Sequence, residues 1–326
     1  RLAKLETSKP MPNRYGSARW GTHEDVIKQG YWEGYDDPRR LIIGPGFDEN
    51  YATLTPEDTA KHAIVCGPTG SGKTTAVFIP NLSERLKSSV IVTEATAGAE
   101  PPDLYHKTAG YRGQFGGNRI YYFNPDDLHS DRINPIDAVT SYAKAQELAQ
   151  LVIENTSSKN NYGDDVWPKS EANLLTILLA HAAAEKQHLG YVRALLRDGP
   201  DGLLPILNQS KVEQVKEEYR GFCNNARDGF KYGVFAGLMQ RLGLWVNPRI
   251  VALTETTDFD IAGLKNQLFS FYLATPAQKT HLKPVAALIF NFILDLALNQ
   301  EFKHPLYLSL DEFTNFGMIP GIAEKL

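Results

Sequence analysis

Gly67-Pro68-Thr69-Gly70-Ser71-Gly72-Lys73-Thr74 carries every fixed position of the phosphate-loop pattern G-x-x-x-x-G-K-S/T. Three glycines let the main chain turn back so that successive N–H groups point into one hollow. A helix beginning there adds its partial positive charge to the same place. The chemistry is phosphate binding: Lys73 reaches the outer phosphates, the Thr74 hydroxyl holds Mg²⁺, and Thr75 is counted with the same cradle. A second stretch, Leu306 to Glu312, is a mostly apolar run ending in two adjacent carboxylates. In phosphate-loop proteins an acid at the carboxyl end of a neighbouring strand supports Mg²⁺, which suits Asp311. Strand alternation points Glu312 elsewhere, where a carboxylate could orient and deprotonate an attacking water. An Asp-Glu pair after a strand is by itself an ordinary turn. Joined to a complete phosphate loop it predicts ATP hydrolysis, with Lys73 and Glu312 catalytic, Thr74 and Asp311 on the metal, and ATP and Mg²⁺ as cofactors.

Such a loop needs a strand before it and a helix after it. His62-Ala63-Ile64-Val65-Cys66 reads as the short buried strand, with Cys66 a small buried apolar residue, and Thr74 to Ile79 as the helix. Pro80 should end or kink that helix within about two turns. Leu41 to Gly44 reads as a short strand ending in a glycine turn, and Ser89 to Thr93 and Arg119 to Phe123 are short apolar runs of the kind found in parallel sheets covered on both faces. After Asn134-Pro135-Ile136-Asp137 the texture becomes helical, with amphipathic patterns over Ser141 to Glu154, Trp167 to Ala184 and Phe230 to Trp245. Strand texture returns at Ile250 to Thr254 and Leu268 to Ala274, followed by a long apolar helix, Pro284 to Leu298. The expected fold is α/β, a mostly parallel sheet interrupted by an all-α insertion. Residues 1–137, after a polar lead-in over 1–13, and residues 249–326 form the nucleotide-binding domain; 138–248 form the helical one.

With 326 residues, 42% of them hydrophobic and 22% charged, the chain has globular composition. No run approaches the ~18 apolar residues that a membrane span needs, so the segment reads as soluble. The start at Arg1 reads as a trimmed or processed end, and any anchor would lie outside it. Two cysteines without metal-ligand spacing suit a reducing compartment. A net charge of −4 does not announce a nucleic-acid partner, so a DNA role needs locally placed charge.

The order of motifs resembles the VirD4/TraG-type coupling proteins of conjugation and type IV secretion. The resemblance rests on Gly16-Ser17-Ala18-Arg19-Trp20, the phosphate loop, Thr108-Ala109-Gly110-Tyr111-Arg112, Asn134-Pro135, and Leu310-Asp311-Glu312-Phe313 with Asn315-Phe316-Gly317 and Ile319-Pro320. It implies a RecA-like ATPase domain with an all-helical domain for substrate or accessory-protein recognition. It further implies anchoring in the inner membrane on the cytoplasmic side, homo-hexameric rings, and DNA or protein substrates driven towards a type IV secretion channel with relaxosome or other accessory proteins as partners. By position, Lys73 and Thr74 take the phosphate and Mg²⁺ roles, Asp311 supports Mg²⁺ and Glu312 is the base. The resemblance departs at Thr93 to Pro102, where family members have Asp-Pro-Lys-Gly-Glu, so no catalytic or DNA-contact role is carried onto that segment. The chain also ends at Leu326, before the further strands such a sheet ordinarily has, and so reads as a fragment. Two other readings fit the loop: a different hexameric DNA translocase, and a nucleotide-binding module that captures cargo without turnover. Arg112 and Arg119 are the candidates for an arginine crossing a ring interface.

Overall fold

The computed structural model describes residues 22–31, 37–45, 51–68, 70–96, 102–157 and 166–316. The Arg19-Trp20 entry, Thr69 of the phosphate loop, and Gly317, Ile319 and Pro320 lie outside them. The chain forms two compact units, Arg1–Pro68 and Thr69–Leu326.

In the first unit, helix α1 (His23–Lys28) starts at a reciprocal cap between Thr22 and Asp25. Strands β1 (Ile42–Pro45) and β2 (Tyr51–Thr53) pair antiparallel, and a single turn, α2 (Pro56–Thr59), follows with Pro56 in its first turn. Arg40 is buried beside this pair, donating to the Thr53 hydroxyl at 2.9 Å. The strand expected over His62 to Cys66 does not form. The segment pairs with no described strand, Ile64 is 91% exposed, and Cys66 is exposed rather than buried. An apolar run becomes a strand only where a neighbour takes up its N–H and C=O groups, and none of the described strands does so.

The second unit is built on a four-stranded, all-parallel sheet. Its strands are β3 (Ser89–Thr96), β4 (Arg119–Phe123), β5 (Phe269–Pro276) and β6 (Leu306–Leu310), in the spatial order β4-β5-β3-β6. Every residue of β5 is buried, which is why these runs read as continuous rather than alternating. On one face Val90, Val92, Tyr122 and Tyr272 pack against α3 (Ile79–Glu84) and α4 (Asp103–Gln114) through Leu82 and Leu104. On the other, Ile91, Tyr121 and Phe271 join a larger core that includes α12 (Lys283–Leu298) and the helical region. The helix Thr280–Leu298 is long and apolar enough to cross a membrane by length and composition, with a mean hydropathy of 1.5. Here Val285 to Phe290 and Phe292 to Leu294 are buried core.

Between Phe123 and Phe269 the described residues contain no strand. The helices are α5 (Tyr142–Thr156), α6 (Val166–Ala184), α7 (Leu189–Leu195), α8 (Gly199–Leu207), α9 (Glu213–Asn225), α10 (Asp228–Arg241) and α11 (Pro248–Thr254). The last corrects the strand expected over Ile250 to Thr254: the Asn247 side chain accepts from the Arg249 N–H and Pro248 occupies the first turn, so the run starts as a helix. Arg241 ties α10 to α6 through Glu171 at 2.5 Å and to the end of α5 through the Ile153 carbonyl at 3.2 Å. The helical segment is stitched where it leaves and rejoins the sheet. Ile133 N–H donates to Leu253 O at 2.9 Å and Asp258 N–H to Arg132 O at 3.0 Å. The Arg132 guanidinium meets Asp258 at 2.7 Å, and Arg249 and Lys279 both reach the buried Asp126 carboxylate.

Candidate functional site

The phosphate-loop motif crosses from the first unit to the second. Gly67 and Pro68 close the first and are exposed; Gly70 onward belongs to the second. Gly70 and Gly72 have φ of +79° and +83°, a region that side chains rarely adopt, so the turn needs glycine at both positions. Ser71 is exposed, and Lys73 is half-buried with helical backbone angles. Helix geometry follows at once: Ala76 N–H donates to Gly72 O at 2.7 Å, and the Thr75 hydroxyl donates to the same carbonyl at 3.1 Å. Thr75 is therefore engaged with the loop's own backbone.

The expected helix over Thr74 to Ile79 begins as a π-helical turn, Thr74–Phe78, in which Ile79 N–H donates to Thr74 O. Pro80 accounts for it. Proline has no N–H for the carbonyl four residues back and its ring crowds that carbonyl, so the chain widens by one residue and α3 restarts with Pro80 in its first turn. The Asn81 side-chain amide donates to Val77 O at 2.8 Å, steadying the widened turn.

The turn brings Thr74 to the end of β6. The Thr74 hydroxyl donates to Asp311 Oδ2 at 3.0 Å, across 237 residues of sequence. Alternation along β6 explains the direction: Tyr307 packs with the α3 face and Leu306, Leu308 and Leu310 with the opposite one, so Asp311 falls on the side of the phosphate-loop helix. Glu312 is exposed and has φ +47°, an uncommon conformation for a non-glycine residue. Its main-chain carbonyl accepts from Asn315 N–H at 3.0 Å and its Oε2 from Asn315 Nδ2 at 3.2 Å. The turn is held from the sheet as well, because the buried Thr93 hydroxyl donates to Asp311 O at 3.1 Å.

An oxygen pair of hydroxyl and carboxylate suits a hard cation such as Mg²⁺, which takes one or two protein oxygens and completes its shell with phosphate oxygens and water.

The segment on which the family resemblance lapses holds a residue of note. Strand β3 continues past Thr93 to Thr96, and Glu94 is buried on the α4 side, with Leu104 N–H donating to both of its carboxylate oxygens at 2.9 Å. Burial pushes the Glu94 carboxyl up from the ordinary 4.5 to about 7, opposed by the N–H groups of Leu104 and Tyr105 and assisted by the charges of Asp103 and Asp311. The folded chain thus keeps a proton that the unfolded chain loses near pH 4.5. The resulting stabilisation is complete below that pH and is lost as pH rises through about 7. Wild type should lose stability relative to Glu94→Gln between those two values, measured by urea unfolding at pH 4.5, 6 and 8; a constant difference would mean that Glu94 does not titrate there.

Arg112 does not serve at an interface. It is wholly buried, and its donors go to Ser270 Oγ at 2.7 Å, Asn118 Oδ1 at 3.1 Å and the carbonyls of Leu82, Arg85 and Ser88. The Thr108 hydroxyl in the same motif meets Tyr272 OH at 2.7 Å and Ala109 is core, so Thr108 to Arg112 fasten α4 to the sheet. Arg119 is exposed at the start of β4. Reading the sequence alone misses Thr93, Glu94 and the link from Asn315 to Glu312. The first two carry no local signal, and the third is visible only as three-residue spacing in a turn.

The family model described as "Type IV secretory system Conjugative DNA transfer" matches residues 15–326. Among curated relatives, Protein VirD4 of Agrobacterium fabrum is 23% identical over 348 residues, covering 100% of this chain and 50% of its own length. Protein VirD4 of Rhizobium radiobacter is 25% identical over 338 residues, covering 96% of the chain and 46% of the relative. The chain thus spans about half the length of the curated relatives it matches. Among solved structures, the plasmid coupling protein TrwB in complex with ADP and Mg²⁺ aligns with 91% of this chain and 71% of its own, at 13% identity and a TM-score of 0.43.

Proposed function

The chain belongs to the type IV secretory conjugative DNA transfer family, and from that premise we propose that it is the ATPase part of a coupling protein that drives DNA, and protein cargo, into a type IV secretion or conjugation channel. The observation that carries the reading is the 3.0 Å bond between Thr74 and Asp311, which joins the two halves of the sequence motif in one place. In this reading the loop from Gly70 to Thr75 cradles the nucleotide phosphates with main-chain N–H groups, and Lys73 supplies the positive charge for the outer ones. Thr74 and Asp311 would hold Mg²⁺, which would supply neutralisation of the phosphate charge. Glu312 takes a proton from the attacking water; the water oxygen bonds to the terminal phosphorus and ADP leaves. The helices between β4 and β5 recognise substrate and relaxosome or other accessory proteins. The working unit is a homo-hexamer at the cytoplasmic side of the inner membrane, where a ring gathers cationic side chains from each subunit, whose own net charge is −4, around one channel.

The test is DNA-stimulated ATP turnover by the intact protein with Lys73→Ala beside wild type. Loss of a charge-assisted phosphate contact is worth ~1.5–3 kcal/mol, so nucleotide affinity should fall roughly 10- to 100-fold. Wild-type affinity and turnover in the variant would remove the site; turnover indifferent to DNA would favour protein as the cargo.

A further inference from the structure

Glu312 is an exposed carboxylate on a flexible stem, at the tip of a turn whose backbone is itself in an unfavourable region. A general base placed this way is useful only if something fixes where its oxygens lie. We propose that Asn315 is the positioning residue for Glu312, and that Lys283 sets the orientation of the Asn315 amide.

The chemistry of the donors dictates the arrangement. Lys283 Nζ lies 3.4 Å from Asn315 Oδ1, and an ammonium can only donate. The amide oxygen must therefore face Lys283, which leaves the NH₂ to donate to Glu312 Oε2 at 3.2 Å. The support is rigid. Asn315 sits in the 3₁₀ turn Phe313–Phe316, whose Phe313 and Phe316 rings pack on Phe290 of α12 at centroid distances of 5.3 and 5.9 Å, with Phe316 buried. Lys283 starts that same helix. Helix, turn, amide and carboxylate are thus linked in series, and Thr93 fixes the preceding peptide from the sheet.

The inference rests on Glu312 acting as the base, and the experiment separates the two. Steady-state ATP turnover by the intact protein is compared for wild type, Asn315→Ala, Asn315→Asp, Lys283→Met, Glu312→Gln and Asn315→Ala combined with Glu312→Gln. Asn315→Ala should lower kcat about tenfold, the worth of one hydrogen bond to a charged group, with KM for ATP changed less than about twofold. Asn315→Asp keeps the shape and strengthens the contact with Lys283 but loses the donor to Glu312, so it should lose at least as much; a merely structural asparagine predicts that this variant stays active. Lys283→Met should lower kcat by about threefold through the unfixed amide. In the Glu312→Gln background Asn315→Ala should add less than about twofold. A wild-type kcat in Asn315→Asp, or a full tenfold further loss in the double variant, overturns the positioning role. Wild-type turnover in Glu312→Gln overturns the base itself.

Discussion

Glutamine at position 312 should leave ATP bound and lower its turnover by about two to four orders of magnitude, the range in which a positioned general base contributes. The amide has the shape of the carboxylate and can still accept a hydrogen bond, but it cannot take a proton from water. Geometry makes the prediction selective. Asp311 turns towards Thr74 and the phosphate-loop helix, whereas Glu312, at φ +47°, leaves the strand in another direction and remains exposed. Removing its charge should therefore spare the Thr74–Asp311 contact. Nucleotide affinity from displacement of a fluorescent analogue, set beside kcat from phosphate release, distinguishes the outcomes. Affinity within about threefold of wild type with kcat reduced at least a hundredfold is the expected pair. Loss of affinity and kcat together would mean that Glu312 belongs to the binding of ATP rather than to its cleavage.

The half of the site that could be read in advance is the half encoded by short-range pattern. The phosphate loop is contiguous, and two of its three glycines, Gly70 and Gly72, fall at the positive φ values the turn requires. The strand ending at Pro276 is an apolar run buried along its whole length, whereas those ending at Phe123 and Leu310 are only partly covered; the apolar stripe of α5 repeats at helical spacing, while α6 is buried on every side over Leu174 to Ala182. Local pattern misled in two places for different reasons. Ile250 to Thr254 has strand composition, yet Asn247-Pro248 ahead of it is a helix start, and capping decided the outcome. His62 to Cys66 has strand composition as well, but a strand is a property of a pair, and no described strand supplies the other member.

What could not be read are contacts between distant residues. Thr93 reaches Asp311 across 218 residues and Lys283 reaches Asn315 across 32, distances over which no periodicity operates. Glu94 stood in a polar, turn-rich segment, where carboxylates are ordinarily solvated; β3 runs on and buries it. Arginine 112 was open to the same error, since an arginine near a sheet edge is usually wet.

Replacing Arg112 by methionine should destabilise the protein by ~3–5 kcal/mol, because it strands several buried neutral acceptors at ~1–3 kcal/mol each, offset in part by no longer burying a charge. The guanidinium is 0% exposed and uses all five N–H donors. No carboxylate shares the site: its partners are three carbonyls, one hydroxyl and one amide oxygen, and burial pulls its pKa down to about 10, so it stays charged near neutrality. Methionine fills much of the volume and ends the cost of burying a charge, but it leaves the carbonyls of Leu82, Arg85 and Ser88 without that donor, each at ~1–3 kcal/mol if no water enters. Lysine should recover only part of the loss, because an ammonium cannot reproduce the planar fork. Against a total stability of ~5–15 kcal/mol the change is large enough to show as a lowered urea midpoint and poor recovery of folded protein. The effect should also reach the site. Arg112 fastens the end of α3, through Leu82 and Arg85, to Ser270 of β5, and α3 continues directly from the turn that carries Thr74 to Asp311. At a temperature where Arg112→Lys is still folded, ATP affinity should therefore fall along with stability. A methionine variant within ~1 kcal/mol of wild type would mean that water replaces the guanidinium at little cost and that the phosphate-loop helix is held by its apolar contacts alone.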